Sequence, residues 1–334
     1  MSDPRTVTII NGDGIGPEVM DATIRVLEAL KAPLTFEAQE AGAEIVSKYG
    51  TNLPPSTVDS VLRNGVALKG PTGTAIGSGL GSANVALRKQ LDLYSSLRPV
   101  KSVPGVKTRY EDVDLVVVRE NTEGLYSGLE SVIAPGVVTG TKVMTEKACT
   151  RIVRFAFEYA RDNGRKKVSV VHKANIQKLT DGLLLDCARK VNREFPELQY
   201  EEVIIDNMAM QLVKDPSKYD VMVTENLYGD ILSDLCAGLV GGLGVVPGAN
   251  IGERCSVFEA VHGTAPDIAG KNLANPTALM MSAVMMLDHL KLKEEAARFE
   301  AALMRVFAEG TRLTRDLGGT ASTREFTDAV IDAL

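Results

Sequence analysis

The chain predicts an α/β fold with a largely parallel central sheet, and three observations carry that reading. Short β-branched or apolar runs alternate with helix-patterned segments along most of the 334 residues. The composition, 45% apolar and 24% charged, is that of a globular protein of about two domains or one large α/β unit. Gly- and Pro-bearing turns mark the element ends, yet no Pro/Gly/Ser-rich linker divides the chain, so two lobes would be intimately joined.

Taken in order, Thr6–Ile10 reads as a β-branched strand and Asn11–Gly16 as a Gly-rich turn. Pro17 then opens a helix at its favoured first position, running to about Leu30. The glycines Gly12, Gly14 and Gly16 are spaced GxGxG, not GxGxxG. The acidic residue that should end a second strand near 36–39 is only loosely met by Glu37 or Glu40, so a tight strand–helix turn is the plainer reading than a Rossmann site. Val66–Leu68 is a strand feeding Gly70-Pro71 and a Gly/Thr/Ser loop. That loop ends at Ser82, a helix N-cap, and the helix from Ala83 to about Tyr94 puts Asn84 and Arg88 on one face. Leu115–Val118 is a buried strand ending in Arg119-Glu120-Asn121. Glu130–Thr145 alternates around Pro135-Gly136 and Gly140 as a hairpin; it serves no α/β layer and is expected to pair with another copy. Lys147–Arg161 is a helix stopped by Asn163-Gly164, Lys167–Val171 a strand, Asp181–Glu194 a helix, and Glu202–Ile205 and Asp220–Thr224 strands. Ala278–Leu287 is a core helix, and Ser322-x-x-Glu325 is a capping box opening the last one.

A net charge of −6 leaves no basic footprint for nucleic acid. The four cysteines, with no CxxC spacing, read as buried thiols of a reducing compartment rather than disulfides or a zinc site. Met1–Arg5 has no apolar core and no run reaches membrane-spanning length. A soluble, cytoplasmic protein with no membrane partner is the expectation.

Chemistry concentrates in Asn226–Asp234, NLYGDILSD, which looks like the first turn of a helix. Asp230 and Asp234 lie four apart, on one helical face with Cβ atoms roughly 5–6 Å apart. They repel unless a cation sits between them, and hard oxygen ligands suit Mg²⁺ or Mn²⁺. The plain alternative is a solvated acidic face, against which the nearby Gly238, Gly241, Gly242 and Gly244 argue. Arg88, Arg98 and Arg119 recur near the ends of apolar segments; guanidinium forks there imply a polycarboxylate, although any one of them alone reads as a surface residue. His172-Lys173-Ala174-Asn175 follows a strand, and a lysine near a metal can act as a base; by itself Lys173 is an ordinary solvated charge. Asp206, ending the strand before it, could add a third carboxylate, and Tyr126 could donate a proton. The loop Glu259–Ile268 carries Gly263 and Pro266, which bring backbone N–H groups forward for phosphate or adenine; Asp267 would accept from a ribose hydroxyl and repel a 2′-phosphate.

Six blocks together resemble the β-decarboxylating dehydrogenases, the isocitrate, isopropylmalate, homoisocitrate and tartrate dehydrogenases. They are GDGIGPEV (12–19), SANVALRKQLDLYSSLRPV (82–100), RENTEGLYSG (119–128), VHKANIQK (171–178), NLYGDILSDLCAGLVGGLG (226–244) and HGTAPDIAGKNLANPTA (262–278). The resemblance implies the isocitrate/isopropylmalate dehydrogenase fold, two lobes sharing a central sheet, which is not a true Rossmann fold. Its large cofactor-binding domain would comprise 1–97 and 241–334. Its small domain would be 98–240, with a dimer clasp at about 126–146 and the metal site at the cleft. It places metal ligands on Asp230 and Asp234, with Asp206 from a second protomer. Substrate contacts fall on Ser82, Asn84, Arg88, Arg98 and Arg119, and proton transfer on Tyr126 and on Lys173 of the second protomer. Cofactor contacts fall on Thr74, Asn175, His262, Gly263, Thr264, Ala265, Asp267, Ile268 and Asn275. The implied assembly is a homodimer with shared active sites, or a tetramer of such pairs.

By the same resemblance, Ser82 and Asn84 favour isocitrate, because isopropylmalate-type members place leucines there and an apolar pocket rejects a carboxylate. Homoisocitrate is the closer competitor. Asp267 and Ile268, without the basic and aromatic residues of NADP-type relatives, favour NAD; Arg324 as a 2′-phosphate clamp would be opposed by Asp267. The expected reaction is oxidative decarboxylation of isocitrate to 2-oxoglutarate in the tricarboxylic acid cycle. A non-catalytic regulatory role is disfavoured, since Tyr126, Lys173 and the three aspartates are all present. Asn11 and Ala75 stand where prolines are common in the family.

Overall fold

The computed structural model describes residues 4–74 and 81–334; Ala75 lies outside the described residues. The chain begins β1 (Arg5–Ile10), α1 (Gly16–Ala29), β2 (Leu34–Gln39), the single turn α2 (Val46–Tyr49), α3 (Pro55–Asn64), β3 (Val66–Lys69), α4 (Ala83–Gln90), β4 (Ser95–Lys101) and β5 (Asp114–Glu120). It continues through the hairpin β6 (Gly124–Ala134) and β7 (Val137–Val143), then α5 (Glu146–Asp162), β8 (Lys167–His172), α6 (Thr180–Asn192), β9 (Gln199–Ile204), α7 (Ile205–Lys214), β10 (Val221–Thr224) and α8 (Asn226–Leu239). The last part is β11 (Pro247–Ile251), β12 (Ser256–Ala260), α9 (Thr277–His289), α10 (Lys293–Glu309) and α11 (Thr323–Asp332).

Two compact units result. The first is Met1–Leu93, Ser102–Tyr110 and Val240–Leu334; the second is Tyr94–Lys101 and Glu111–Leu239. In the first, the strand order is β2-β1-β3-β12-β11, parallel except for the β11–β12 pair. In the second it is β4-β5-β10-β8-β9, parallel except for β4–β5. The largely parallel expectation therefore needs one antiparallel pair added in each unit. The short return from Ile251 to Ser256, closed by Gly252 N donating to Cys255 O at 3.0 Å, leaves no room for a crossover helix. Neither β4 (SSLRPVK) nor β11 (PGANI) has the β-branched run that marks a strand.

The first unit packs around α9, which is apolar on every side and buries nine of its 13 residues. Phe299, Phe307 and Phe326 from α10 and α11 are fully buried in this unit, each contributing roughly 1.5–3 kcal/mol of transfer free energy. The capping box at α11 is present, Ser322 Oγ accepting from Glu325 N at 3.2 Å while Glu325 Oε2 accepts from Ser322 N at 2.8 Å.

Four expectations are corrected. The helix α4 stops at Gln90, not near Tyr94: Asp92 takes φ 48° and Leu93 N donates to Arg88 O, a Schellman stop made by an aspartate where a glycine would have signalled it. The hairpin begins earlier, at Gly124 rather than Glu130. Asp206 does not end a strand; the backbone turns at Ile204 and Asp206 sits in the first turn of α7, a boundary hidden by the apolar pair Ile204-Ile205. Asp230 opens the second turn of α8, because that helix already starts at Asn226. Among the described residues no helix is long and apolar enough to cross a membrane.

Candidate active site

In the second unit the chemistry is built on the end of β5 and the face of α8. Arg119, 1% exposed, runs beneath the helix at Gly229, where a Cβ would lie 2.6 Å from Arg119 Cβ. Glycine is therefore a packing requirement, because the arginine stem occupies the space of a side chain. The guanidinium Nε and Nη2 donate to Asn226 Oδ1 at 3.1 and 2.8 Å, and Nη1 forms an ion pair with Asp230 Oδ1. Tyr126 of β6 donates its hydroxyl to Asp230 Oδ2 at 2.5 Å, and the Arg119 guanidinium lies 5.0 Å from its ring centroid. Burial first, then the bond to Asp230, pushes the Tyr126 phenol above its ordinary pKa. It is therefore a protonated donor at neutral pH.

One turn further along α8, Asp234 Oδ1 is 3.6 Å from Arg98 Nη1, which also donates to Ser233 Oγ at 2.5 Å. Burial raises the Asp234 carboxyl, and Arg98 pulls the other way. The helix start is fixed by buried Glu225, whose carboxylate accepts from Leu227 N at 3.2 Å and Tyr228 N at 2.9 Å. Asp230 and Asp234 thus stand on one face of a capped helix as two hard oxygen donors beside arginines, a set that fits a divalent cation. Among the described residues no group of three metal-ligating side chains forms within one chain.

Lys173 follows β8 directly. Its backbone N donates to Asp181 Oδ2 at 2.6 Å, and Asp181, fully buried, accepts at Oδ1 from Lys142 Nζ at 2.6 Å. Lys173 Nζ pairs with Asp206 of α7, and that bond holds the Asp206 carboxyl below the usual range. Asn175 is exposed.

In the first unit, Arg88 Nη2 lies 3.1 Å from Glu259 Oε1, and Lys69 Nζ lies 2.6 Å from Glu259 Oε2. Asn250 Nδ2 donates to Glu259 Oε1 at 2.6 Å, and Lys69 also donates to Gly70 O at 2.8 Å. Burial alone would push Glu259 up, but Lys69 and Arg88 outweigh it and hold the carboxyl well below its ordinary value. Arg88 Nε is buried with no acceptor among the described residues. Asn84 Oδ1 accepts from Thr72 Oγ1 at 2.8 Å, and Ser82 occupies the N-cap of α4 without its side chain capping. In the sequence Glu259 stands out only as the start of a loop, and neither Lys69 nor Asn250 stands out as its partner. The available signal was a lysine and a glutamate inside the apolar strands VALK and SVFEA.

Four N–H groups of the Gly-rich turn after β1 are committed within the protein. Asp13 N donates to Pro71 O, Gly14 N to Glu44 Oε1, Ile15 N to Thr264 O and Gly16 N to Asp13 O, each at 2.8 or 2.9 Å. Gly14 is required by proximity, since a Cβ there would come 2.9 Å from Thr264 Cβ. The Asp13 carboxylate accepts from Ala43 N at 2.7 Å, Glu44 N at 3.1 Å and Gly73 N at 2.6 Å, next to Thr74. This turn braces the neighbouring loops. On the loops it braces, His262 Nδ1 donates to Gly263 O at 3.0 Å, and its buried Nε2 has no partner among the described residues. Burial lowers the His262 pKa, which keeps the ring neutral. Ile268 N donates to Ala265 O at 3.1 Å, and Asp267 is exposed. Asn275 Oδ1 accepts from Thr277 N at 3.0 Å and its Nδ2 donates to Asp316 Oδ2 at 2.8 Å.

Residues 6–330 match the isocitrate/isopropylmalate dehydrogenase family. The chain is 53% identical over 332 residues to the mitochondrial NAD isocitrate dehydrogenase catalytic subunit 5 of Arabidopsis thaliana, covering 99% of this chain and 89% of the relative. It is 52% identical over 326 residues to a regulatory chain of the mitochondrial NAD isocitrate dehydrogenase of Dictyostelium discoideum, covering 97% and 90%. Among solved structures, isocitrate dehydrogenase from Methylococcus capsulatus superposes with a TM-score of 0.95 at 46% identity, covering 98% of this chain and 99% of that one.

These relatives correct the cytoplasmic expectation: those from Arabidopsis, Drosophila melanogaster and Bos taurus are all named mitochondrial, which points to that compartment. The expectation leaned on the lack of an apolar N-terminal core, which marks secretory leaders; mitochondrial leaders are amphipathic and Arg-rich. With the α/β fold, the arginine–tyrosine–aspartate contact and the matched span of 6–330 in agreement, the chain belongs to the isocitrate/isopropylmalate dehydrogenase family.

Proposed function

We propose that this chain catalyses the NAD-dependent oxidative decarboxylation of isocitrate to 2-oxoglutarate and CO₂, the tricarboxylic acid cycle reaction. The observation that carries this reading is Tyr126 hydrogen-bonded to Asp230, which is itself paired with Arg119. A proton donor, an oxygen ligand and a carboxylate receptor meet there in one contact group.

Identity alone does not separate catalytic from regulatory chains, since a relative named as regulatory is 52% identical. The complete set Tyr126, Lys173, Asp206, Asp230 and Asp234 favours catalysis. Arg98 and Arg119 bind carboxylates of the substrate, and Arg88, with its buried unpartnered Nε, takes another. Ser82 and Asn84 hydrogen-bond the γ-carboxylate. Asp230, Asp234 and Asp206 would hold Mg²⁺ or Mn²⁺, which would supply Lewis acidity to the substrate's oxygens. Lys173 as the neutral amine, or an aspartate of the metal site, would take the hydroxyl proton during hydride transfer from C2, and Tyr126 would return a proton to the enol carbon once CO₂ has left. Thr74, Asn175, His262–Ile268 and Asn275 form the NAD site, with Asp267 disfavouring a 2′-phosphate. Equal amounts of NADH and CO₂ from isocitrate, NAD and Mn²⁺ are expected; NADH without CO₂ would sink the proposal.

The active unit is a homodimer. Leu129, Val132, Ile133 and Val138 of the hairpin and Ile176 and Leu179 beyond Lys173 are exposed apolar side chains, as an uncovered interface requires. Lys173 and Asp206 pair with each other, so one chain delivers both to its partner's site. Mixing inactive Tyr126→Phe and Lys173→Met chains should restore activity, because each mixed dimer holds one intact site. No recovery on mixing would place both groups in one chain.

A further inference from the structure

Glu18 lies in the first turn of α1, within the block GDGIGPE, and none of the chemistry above uses it. Its carboxylate is committed to two segments far away in sequence. Oε2 accepts from Asn272 N at 3.0 Å, and Oε1 accepts from Ala274 N at 2.9 Å and from Thr323 Oγ1 at 2.5 Å. The loop it holds leads straight into Asn275, whose side chain starts α9 and binds Asp316. Asn272 takes a positive φ of 57°, a conformation asparagine adopts more readily than other non-glycine residues, and the bonds around it fix that turn. The first turn of α11 helps: Thr323 N donates to Asn272 O at 3.2 Å and Arg324 N to Asn272 Oδ1 at 3.0 Å. Bonds from backbone N–H to a carboxylate are charge-assisted, and a helix N-terminus favours the negative charge.

We propose that Glu18 is a positioning residue for the cofactor: it fixes Asn272–Ala274 so that Asn275 is presented to NAD. The proposal rests on the reading of 262–275 as the NAD site. It gives the GDGIGPE block a bracing role. Asp13 and Ile15 brace the loops at Gly73 and Thr264, and Glu18 braces the third.

Glu18→Gln removes the charge and turns one acceptor into a donor facing the loop's own N–H groups. The KM for NAD should rise about tenfold while the KM for isocitrate and kcat at saturating NAD stay close to the parent. Thr323→Val, which deletes one donor, should give a smaller rise in the same constant. Calorimetric titration of NAD should show the same order of weakening in both. A Glu18→Gln enzyme with a lowered melting temperature but an unchanged KM for NAD would overturn the proposal, making the residue a structural staple only. Asn275→Ala separates the two layers. If it raises the KM for NAD and Glu18→Gln does not, the positioning role fails alone; if neither moves it, the cofactor-site reading fails as well.

Discussion

Two charged clusters, one in each unit, make opposite use of the same residue types. Lys69, Glu259 and Arg88 have side chains only 2%, 9% and 12% exposed and are closed by Asn250. In the other cluster Arg119 is as deeply buried, but its partner Asp230 is 39% exposed, and Asp234, beside Arg98, is 58% exposed. Removing one member of a sealed cluster strands buried charge, whereas half-open carboxylates remain solvated and available to a ligand. The first arrangement holds an arginine in place; the second leaves acids to be used.

That contrast sets the order of expected effects. Tyr126→Phe removes a donor from the open cluster and should slow turnover of oxalosuccinate by about 10²–10⁴-fold, with hydride transfer less affected and stability nearly unchanged. Equal turnover of oxalosuccinate by mutant and parent would remove Tyr126 as the acid. Glu259→Gln in the sealed cluster should instead cost about 3–5 kcal/mol of stability, read from urea unfolding, because Lys69 and Arg88 lose their buried counter-charge. The pH dependence follows from the depressed carboxyl of Glu259. Its stabilisation is fully present above the unfolded carboxylate value of about 4.3 and is lost as pH falls through the folded-state value. The gap between parent and mutant should thus be constant near neutrality and shrink only in acid; a gap that widens in acid would reverse the sign.

Gly229→Ala touches no ligand yet presses on Arg119, and a displacement of that kind should lower kcat/KM about 10²-fold. Normal kcat/KM in this variant would mean that the arginine has room to move. The smallest effect is expected at the exposed Asp267. Asp267→Ser should raise kcat/KM with NADP by about tenfold and lower it several-fold with NAD, since the carboxylate repels a 2′-phosphate and accepts from the ribose hydroxyl, and a single exposed charge contributes roughly 1 kcal/mol.

The open cluster was legible in the sequence and the sealed one was not. Asp230 and Asp234 announce themselves by i, i+4 spacing, and Tyr126, Lys173 and the three arginines stand in blocks that carry the family resemblance. Lys69, Glu259 and Asn250 come from three separate strands, and only sheet register brings them together. Helix α11 was readable because its cap is local, whereas the stop of α4 was misplaced because an aspartate does the work of a glycine at Asp92. Location failed for a different reason, since cellular address is not a property of the folded domain.

The most direct test is the initial rate of NADH or NADPH formation with Mn²⁺, comparing isocitrate, homoisocitrate and isopropylmalate, each with NAD and with NADP. The highest kcat/KM is expected for isocitrate with NAD. A preference for homoisocitrate or isopropylmalate would contradict the assignment of Ser82 and Asn84 to the γ-carboxylate, and no turnover of any pair would contradict the assignment of this chain as catalytic.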